Sequence, residues 1–345
     1  MPKELIDIRA LSTEDLHSKV ETLGEAAYRA KQVDEWIWTR RVLRFEDMTS
    51  LPAAFRAKLA KEFQFRPISI DLEQKSIDGT LKVRFRLHDD YKVEGVLIPA
   101  KGRVTVCISS QVGCSLNCGF CATGQMGLLR QLTAAEIFDQ VWLLQEKALE
   151  NFDTPLTNIV FMGMGEPLLN FSHVMRAIDK IHLEKGLNIG LKRITVSTSG
   201  LVKAIRKLAA LKVKFKLALS LHATTDEIRN RLMPVNESNP ISEVMKALEE
   251  FYIETGSRVT FEYILFSGVN DSDLDARRLA AYAVKLPARV NLISYNPVEG
   301  LPFRKPDDGK TNRFMHVLVE KGATVTLRQS RGGDIDAACG QLANK

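Results

Sequence analysis

The chain has 345 residues, 45% of them hydrophobic and 26% charged, with a formal net charge of +6. That balance excludes a disordered or fibrous chain and allows one large domain beside a smaller one. No apolar run reaches the roughly 18 residues of a membrane helix, and the opening MPKELIDIRALSTEDL is charged throughout without a signal-type core. A cytosolic protein with no membrane partner is expected, and its positive excess suits a polyanion such as nucleic acid.

Residues 1–75 read as a small helical accessory domain. GEAAYRAKQVDEWIWTR and LPAAFRAKLAKEFQF carry apolar residues at helical spacing. Arg40, Arg41 and Arg44 cluster there, suited to RNA contact or to an ordinary solvated helix end. Residues 76–102 switch to alternation around His88-Asp89-Asp90 in LKVRFRLHDDYKVEGVLIP, which predicts a β-hairpin linker.

From residue 103 strands alternate with helices. The strands are RVTVCISS, NIVFMGMG, RITVSTSG, FKLALSLH, RVTFEYILFSG, RVNLISYNP and TVTLRQS. They read as nearly continuous apolar runs, which predicts burial on both faces. Repeated strand–helix–strand units predict parallel pairing with right-handed crossovers. The expected fold class is α/β: a partial (βα)6-type TIM barrel over residues 103–345, ending in a tail.

In such folds ligands bind beyond the C-terminal strand ends. Gly163-Met164-Gly165-Glu166, Ser197-Thr198-Ser199-Gly200, Ser220-Leu221-His222 and Tyr295-Asn296-Pro297 fall there, as does a cysteine-rich stretch after the first strand. Five loops are expected to converge on one mouth.

Of five cysteines, Cys107, Cys114, Cys118 and Cys121 crowd together and Cys339 sits in the tail. In a reducing compartment they read as metal ligands or catalytic thiols rather than a disulfide framework. Cys114, Cys118 and Cys121 have the spacing C-x3-C-x2-C. A closed zinc site needs a fourth ligand, such as Cys107 or a histidine. A [4Fe–4S] cluster held by three cysteines instead keeps one iron open.

That spacing just past the first barrel strand, with Phe120 before the last cysteine, resembles the radical S-adenosylmethionine (SAM) superfamily. The resemblance implies a [4Fe–4S] cluster on Cys114, Cys118 and Cys121 whose open iron chelates SAM, and reductive cleavage to a 5′-deoxyadenosyl radical. It also implies SAM contacts from Gly165 and Glu166 to the amino group, and from Ser197, Ser220, Leu221, His222 and Asn296 to the rest of the molecule. Taken singly, each of these is an ordinary turn or strand-end residue.

Nearly end to end, the chain is similar to one branch: the dual-specificity RNA adenine-C2 methyltransferases of large-subunit (23S) ribosomal RNA and transfer RNA. YRAKQVDEWIW, EGVLIP, CISSQVGC, GMGEPLLN, STSG, SLHA, DEIRNRLMPVN, NLISYNP and DIDAACGQL carry the likeness. Carbon 2 of adenine is electron-poor and does not attack a SAM methyl group. The resemblance implies a route through two SAM molecules. Cys339 takes a methyl group from one. The radical from the other removes a hydrogen from that S-methyl, and the carbon radical adds to carbon 2. Glu94 accepts the proton. Cys107 thiolate then attacks the Cys339 sulfur and frees the product, leaving a transient Cys107–Cys339 disulfide.

The tail RQSRGGDIDAACGQL is expected to fold back over the mouth. The expected partners are these RNAs, with a flipped or looped target nucleotide, and an electron donor such as flavodoxin or ferredoxin; a monomer is expected. Lys192, Arg193, Arg304, Lys305, Arg328 and Arg331 are candidates for holding phosphates, while Lys212, Lys214 and Lys216 are placed at the opposite rim. Two alternatives stand beside this reading. One is a sister enzyme methylating carbon 8 of the ribosomal adenosine, against which Pro167 after Gly-Glu counts. The other is a non-enzymatic, zinc-containing RNA-binding protein.

Overall fold

The computed structural model describes residues 5–344. The first four residues of the charged opening and Lys345 lie outside the described residues. The N-terminal unit holds β1 (Ile6–Asp7), α1 (Thr13–Thr22), α2 (Tyr28–Trp38), α3 (Ala53–Glu62) and β2 (Phe63–Gln64). Ser12 caps α1, its side chain accepting from Asp15 N–H, a bond that fills an otherwise open helix donor. The helices bury Leu16, Val20, Val33, Ile37, Phe55 and Leu59, the i, i+4 stripe read from the sequence. β1 pairs parallel with β2 and closes the unit.

Two expectations for the next segment are corrected. β3 (Ser69–Lys75) is a strand inside the stretch read as helical. SIDLEQK is polar because it forms a sheet edge, where one partner strand and a largely solvated surface replace a buried face. β4 (Leu81–Arg86) and β5 (Lys92–Ala100) form the expected hairpin, with Asp90 at φ 63° in its turn. It is not a linker, however. β5 pairs antiparallel with β6 (Arg103–Cys107), so β3, β4 and β5 extend the main sheet.

Past β6 the chain forms a small hairpin, β7 (Gln111–Gly113) and β8 (Leu128–Gln131), around the one-turn α4 (Ala122–Gln125). Then α5 (Ala134–Phe152), β9 (Asn158–Phe161), α6 (Phe171–His182), β10 (Ile194–Thr198), α7 (Val202–Ala210) and β11 (Lys216–Ser220) alternate. They are followed by α8 (Asp226–Leu232), α9 (Ile241–Thr255), β12 (Thr260–Leu265), α10 (Asp273–Lys285), β13 (Arg289–Ser294), α11 (Asp308–Glu320) and β14 (Thr324–Arg328). A Thr133–Glu136 capping box starts α5, reciprocal bonds that fix where the first crossover begins.

The main sheet runs β14-β13-β12-β11-β10-β9-β6-β5-β4-β3. From β6 to β14 every pairing is parallel and spatial order follows the chain. The sheet ends at β14 and β3 without closing, the partial barrel the sequence predicts.

Only the outward face is apolar throughout. Val106, Ile159, Val196, Leu217, Phe261 and Leu292 are buried, while the alternate residues include Thr105, Asn158, Thr195 and Asn291, which are half-buried. The predicted burial of both faces is therefore corrected: an unclosed sheet leaves its concave face accessible.

Candidate active site

The three clustered cysteines lie on the loop between β7 and β8. Gly113, at φ 75°, starts it, and a Cβ there would meet the Gly127 carbonyl oxygen at 1.8 Å, so only glycine permits this closure. Asn117 adopts φ 48°, and Cys121 N–H donates to the Cys118 carbonyl at 3.1 Å. Phe120 is buried, its ring edge-on to His222 with centroids 5.0 Å apart, and it also packs on Phe266. An aromatic here fastens the loop to the ends of β11 and β12.

All five cysteines are unpaired. Burial pushes the Cys114 thiol up to about 11. It raises Cys118 and Cys121 as well, and at Cys118 the neighbouring thiols Cys121 and Cys114 add to it. The Arg229 charge opposes the rise at Cys118 but does not cancel it, so these thiols hold their protons; a metal centre reverses that.

One cavity of about 150 Å³ is lined by Cys114, Cys118 and Cys121, by Gly165, Glu166, Ser197, Ser220 and His222, and by Cys339. Four of the five expected loops converge here, and Tyr295-Asn296-Pro297 does not line this cavity. Gly165, at φ 97°, presses on Gln111, whose Cβ lies 2.5 Å from where a Gly165 Cβ would sit. Glu166 is buried. One carboxylate oxygen accepts from Leu168 N–H at 3.1 Å and the other from Ser199 N–H at 2.8 Å. It thereby clamps the β9 and β10 loops, and burial raises its pKa. Ser197 and Ser220 place their hydroxyls 3.4 Å apart.

His222 adopts φ 53°. Its Nδ1 faces Ile264 N–H at 3.1 Å and accepts from it, so Nε2 carries the ring proton. Burial, then the Arg229 charge, lowers its pKa to about 3, and the imidazole is neutral. Leu221 does not line the cavity: its N–H donates to Glu262 and its carbonyl accepts from Arg229 Nε. Asn296 also stands off this cavity and donates from Nδ2 to the Cys339 carbonyl at 3.2 Å.

The tail does fold back. The Gly340 and Leu342 carbonyls accept from Ala122 N–H and Thr123 Oγ1. Gln341 Nε2 donates to Pro297, and Asn344 Nδ2 to the Lys92 carbonyl. Asp334 accepts from Ser76 Oγ at 2.6 Å. The tail is thus docked on α4, on the segment after β13, on the turn before β4 and on β5.

Glu94, expected to be catalytic, is fully buried on β5. One oxygen accepts from Ala343 N–H at 3.0 Å. The other is 3.6 Å from Lys82 Nζ and lacks a hydrogen bond. It lines neither the three-thiol cavity nor the larger one on the concave face of the sheet. Cys107 ends β6, buried, its thiol pushed up to about 12 by burial and then by the nearby Cys339.

Cys339 lines both the small cavity and a larger one of about 650 Å³ on the concave face, which Cys107 also lines. Arg328, expected to hold phosphate, lies where the two cavities meet. Its Nη1 reaches Met162 Sδ at 3.7 Å, and the Cys339 charge, then Glu262 and Cys107, raise its pKa against the lowering by burial.

Sequence reasoning missed Arg229. Buried on α8, it donates to the carbonyls of Ser199 at 2.5 Å, Ser220 at 3.1 Å and Leu221 at 3.0 Å, and to Asn236 Oδ1. One guanidinium thus ties together the loops after β10 and β11. The signal was one of two arginines in the polar stretch DEIRNRLMPVN, indistinguishable there from a solvated helix residue.

Residues 108–280 match the radical SAM superfamily, and residues 6–64 match the ribosomal RNA large subunit methyltransferase N-terminal domain. A probable dual-specificity RNA methyltransferase RlmN of Cytophaga hutchinsonii is 53% identical over 338 residues, covering 98% of this chain and 93% of its own. The dual-specificity RNA methyltransferase RlmN of an Anaeromyxobacter species is 44% identical, covering 99% and 92%. A crystal structure of a radical SAM methyltransferase from Sphaerobacter thermophilus superposes with TM-score 0.90 at 44% identity, covering 99% and 100%.

The chain belongs to the radical SAM dual-specificity RNA methyltransferases. It is an enzyme of that family, and membership implies SAM and an iron–sulfur cluster. The loop with Cys114, Cys118 and Cys121 lies within the radical SAM match, as do Gly165, Glu166, Ser197, Ser220 and His222; Glu94, Asn296 and Cys339 lie outside it. Among the described residues no helix is long and apolar enough to cross a membrane.

Proposed function

We propose that this protein methylates carbon 2 of adenosine in large-subunit ribosomal RNA and in transfer RNA, consuming two SAM molecules per turnover. The observation that carries the reading is the position of Cys339. It borders the three-thiol cavity on one side and the open concave cavity on the other, beside Cys107 and Arg328.

The donor set fits a [4Fe–4S] cluster. Cys114, Cys118 and Cys121 are unpaired and line one cavity. When bound, the cluster supplies the electron that cleaves SAM to the 5′-deoxyadenosyl radical; a one-electron donor such as flavodoxin or ferredoxin reloads it. Ser197, Ser220, His222 and the Gly165–Glu166 segment hold SAM, with neutral His222 as donor through Nε2. Glu166 has lone pairs left for the SAM ammonium after its two backbone bonds.

Cys339 carries the methyl group toward the base. Arg328 steadies charge on its sulfur and on Cys107, whose thiolate attacks the Cys339 sulfur, breaking its bond to the transferred carbon and forming a Cys107–Cys339 disulfide. The adduct's unpaired electron leaves to a one-electron acceptor, and an external dithiol reduces the disulfide before the next turnover. Glu94 is the proton acceptor. Its Oε1, which makes no hydrogen bond, is the oxygen that takes the proton, while Oε2 keeps the Ala343 N–H. Leu221 and Asn296 act by position, Leu221 through its place between Ser220 and His222 and Asn296 by holding the tail at Cys339.

Anaerobic turnover with ribosomal and transfer RNA fragments, followed by nucleoside mass spectrometry, tests the proposal. 2-Methyladenosine in both RNAs is expected. 8-Methyladenosine would assign the chain to the sister chemistry, and unmodified RNA would overturn the reading.

A further inference from the structure

A closed parallel barrel fills its interior with layers of branched apolar side chains. Here the inward positions hold Thr105, Asn158, Thr195, Thr260, Asn291 and Thr326, and they line the cavity of about 650 Å³. That volume is within the usual range for small-ligand sites, about 300–1,000 Å³. Hydroxyls and amides suit a polar heterocycle, not a packed core.

The cavity has two ends. Cys107, Cys339 and Arg328 lie at the C-terminal ends of the strands. Arg103, Lys216 and Arg289 lie at the other, as the first residues of β6, β11 and β13. These three are exposed and, among the described residues, make no ion pair or side-chain hydrogen bond. Five basic residues, with Arg328 and Arg331, line the cavity against one acidic residue, Glu262. Such an uncompensated rim attracts polyanions. Lys192 and Arg193, which directly precede β10, stand at the same rim.

We propose that RNA approaches from the N-terminal rim of the sheet. Arg103, Lys216 and Arg289 hold backbone phosphates of a single-stranded segment while the flipped target base lies along the polar concave face and reaches Cys339. This rests on the proposed function and adds the direction of approach and the phosphate-holding residues. Lys216 lies at the opposite rim as expected, and it is that rim which faces the RNA in this proposal. Arg304 and Lys305, after β13, take no part.

The test is Arg103→Glu, Lys216→Glu and Arg289→Glu, singly and combined, with Arg304→Glu/Lys305→Glu as the opposite-face control. The holoenzyme is assayed on an RNA hairpin for KM, kcat and dissociation constant against salt. The triple variant should raise KM and the dissociation constant tenfold or more, with kcat, RNA-free SAM cleavage and melting temperature near wild type. Its log–log salt slope should fall by about 2, at about 0.7 per lost phosphate contact on a single strand. A charge-keeping Arg103→Lys/Lys216→Arg/Arg289→Lys variant should bind within about threefold of wild type, the tolerance set by keeping the counterion-release term. If wild type methylates RNA and the triple variant binds it unchanged, or if only the opposite-face variant weakens it, this inference falls alone. If wild type modifies no RNA, the proposed function falls and takes this with it.

Discussion

Ala343 N–H donates to a Glu94 carboxylate oxygen at 3.0 Å, four residues beyond the cysteine that takes the methyl group in our account. The proton acceptor and the tail that carries the methyl group are thus fastened to each other. Glu94→Ala should release the tail and leave Lys82 buried without its partner. Hydrogen exchange at residues 337–344 should accelerate at least tenfold, and methylation should be lost. Glu94→Gln keeps an acceptor for Ala343, so exchange should stay near wild type while methylation is still lost. If both variants methylate normally, Glu94 is no more than a tail anchor.

Cys107 faces the same cavity as Cys339. If its thiolate frees the product, Cys107→Ala should accumulate enzyme covalently joined to RNA, read as a slow band in a denaturing gel after anaerobic turnover. Cys339→Ala should yield none. Free methylated RNA released by Cys107→Ala at the wild-type rate would refute this role.

The N-terminal unit is bound to the catalytic domain through a buried ion pair. Arg9 Nη1 meets Asp139 Oδ2 at 2.8 Å, with both side chains almost wholly buried. Removing one member of such a pair leaves a buried charge and costs about 3–5 kcal/mol. Arg9→Ala should lower the unfolding free energy by about 3 kcal/mol, since Arg41 stands 3.7 Å from the other Asp139 oxygen and compensates in part. Chemical denaturation reads it directly; a change within error would mean the two units are not energetically coupled there.

His222 gives stability a pH dependence of known sign. Its folded pKa is lowered to about 3, so between that value and the ordinary one near 6.5 the unfolded chain binds the extra proton. Its contribution is present above about 6.5 and lost as pH falls toward 3, with a slope of up to about 1.4 kcal/mol per pH unit. His222→Asn keeps an acceptor for Ile264 N–H and tolerates φ 53°. Its unfolding free energy should fall less steeply on acidification across that window. A slope equal to wild type would show that His222 does not titrate on unfolding.

Local patterns were the readable part of this chain. The cysteine spacing, the strand-end glycines and serines and the alternating βα series each sit within a few consecutive residues. What escaped depends on distant partners. SIDLEQK looks unlike a strand until β4 pairs with it. Arg229 looks solvated until three carbonyls from two other loops surround it. Glu94 looks like an exposed strand residue until the tail, some 250 positions later in the chain, covers it. The concave face was misread because Thr and Asn at alternate positions barely interrupt runs such as RVTVC and RVNLIS, and only an unclosed sheet makes that alternation meaningful.

The central claim is a reactive iron–sulfur centre held by one short loop. The most direct check is iron, sulfide and zinc content of protein purified without oxygen, with electron paramagnetic resonance after reduction, in wild type and in Cys118→Ala. The account expects brown wild-type protein with about four irons per chain, a reduced-cluster signal altered by added SAM, and loss of all three in the variant. Colourless protein carrying one zinc per chain, indifferent to SAM, would contradict it.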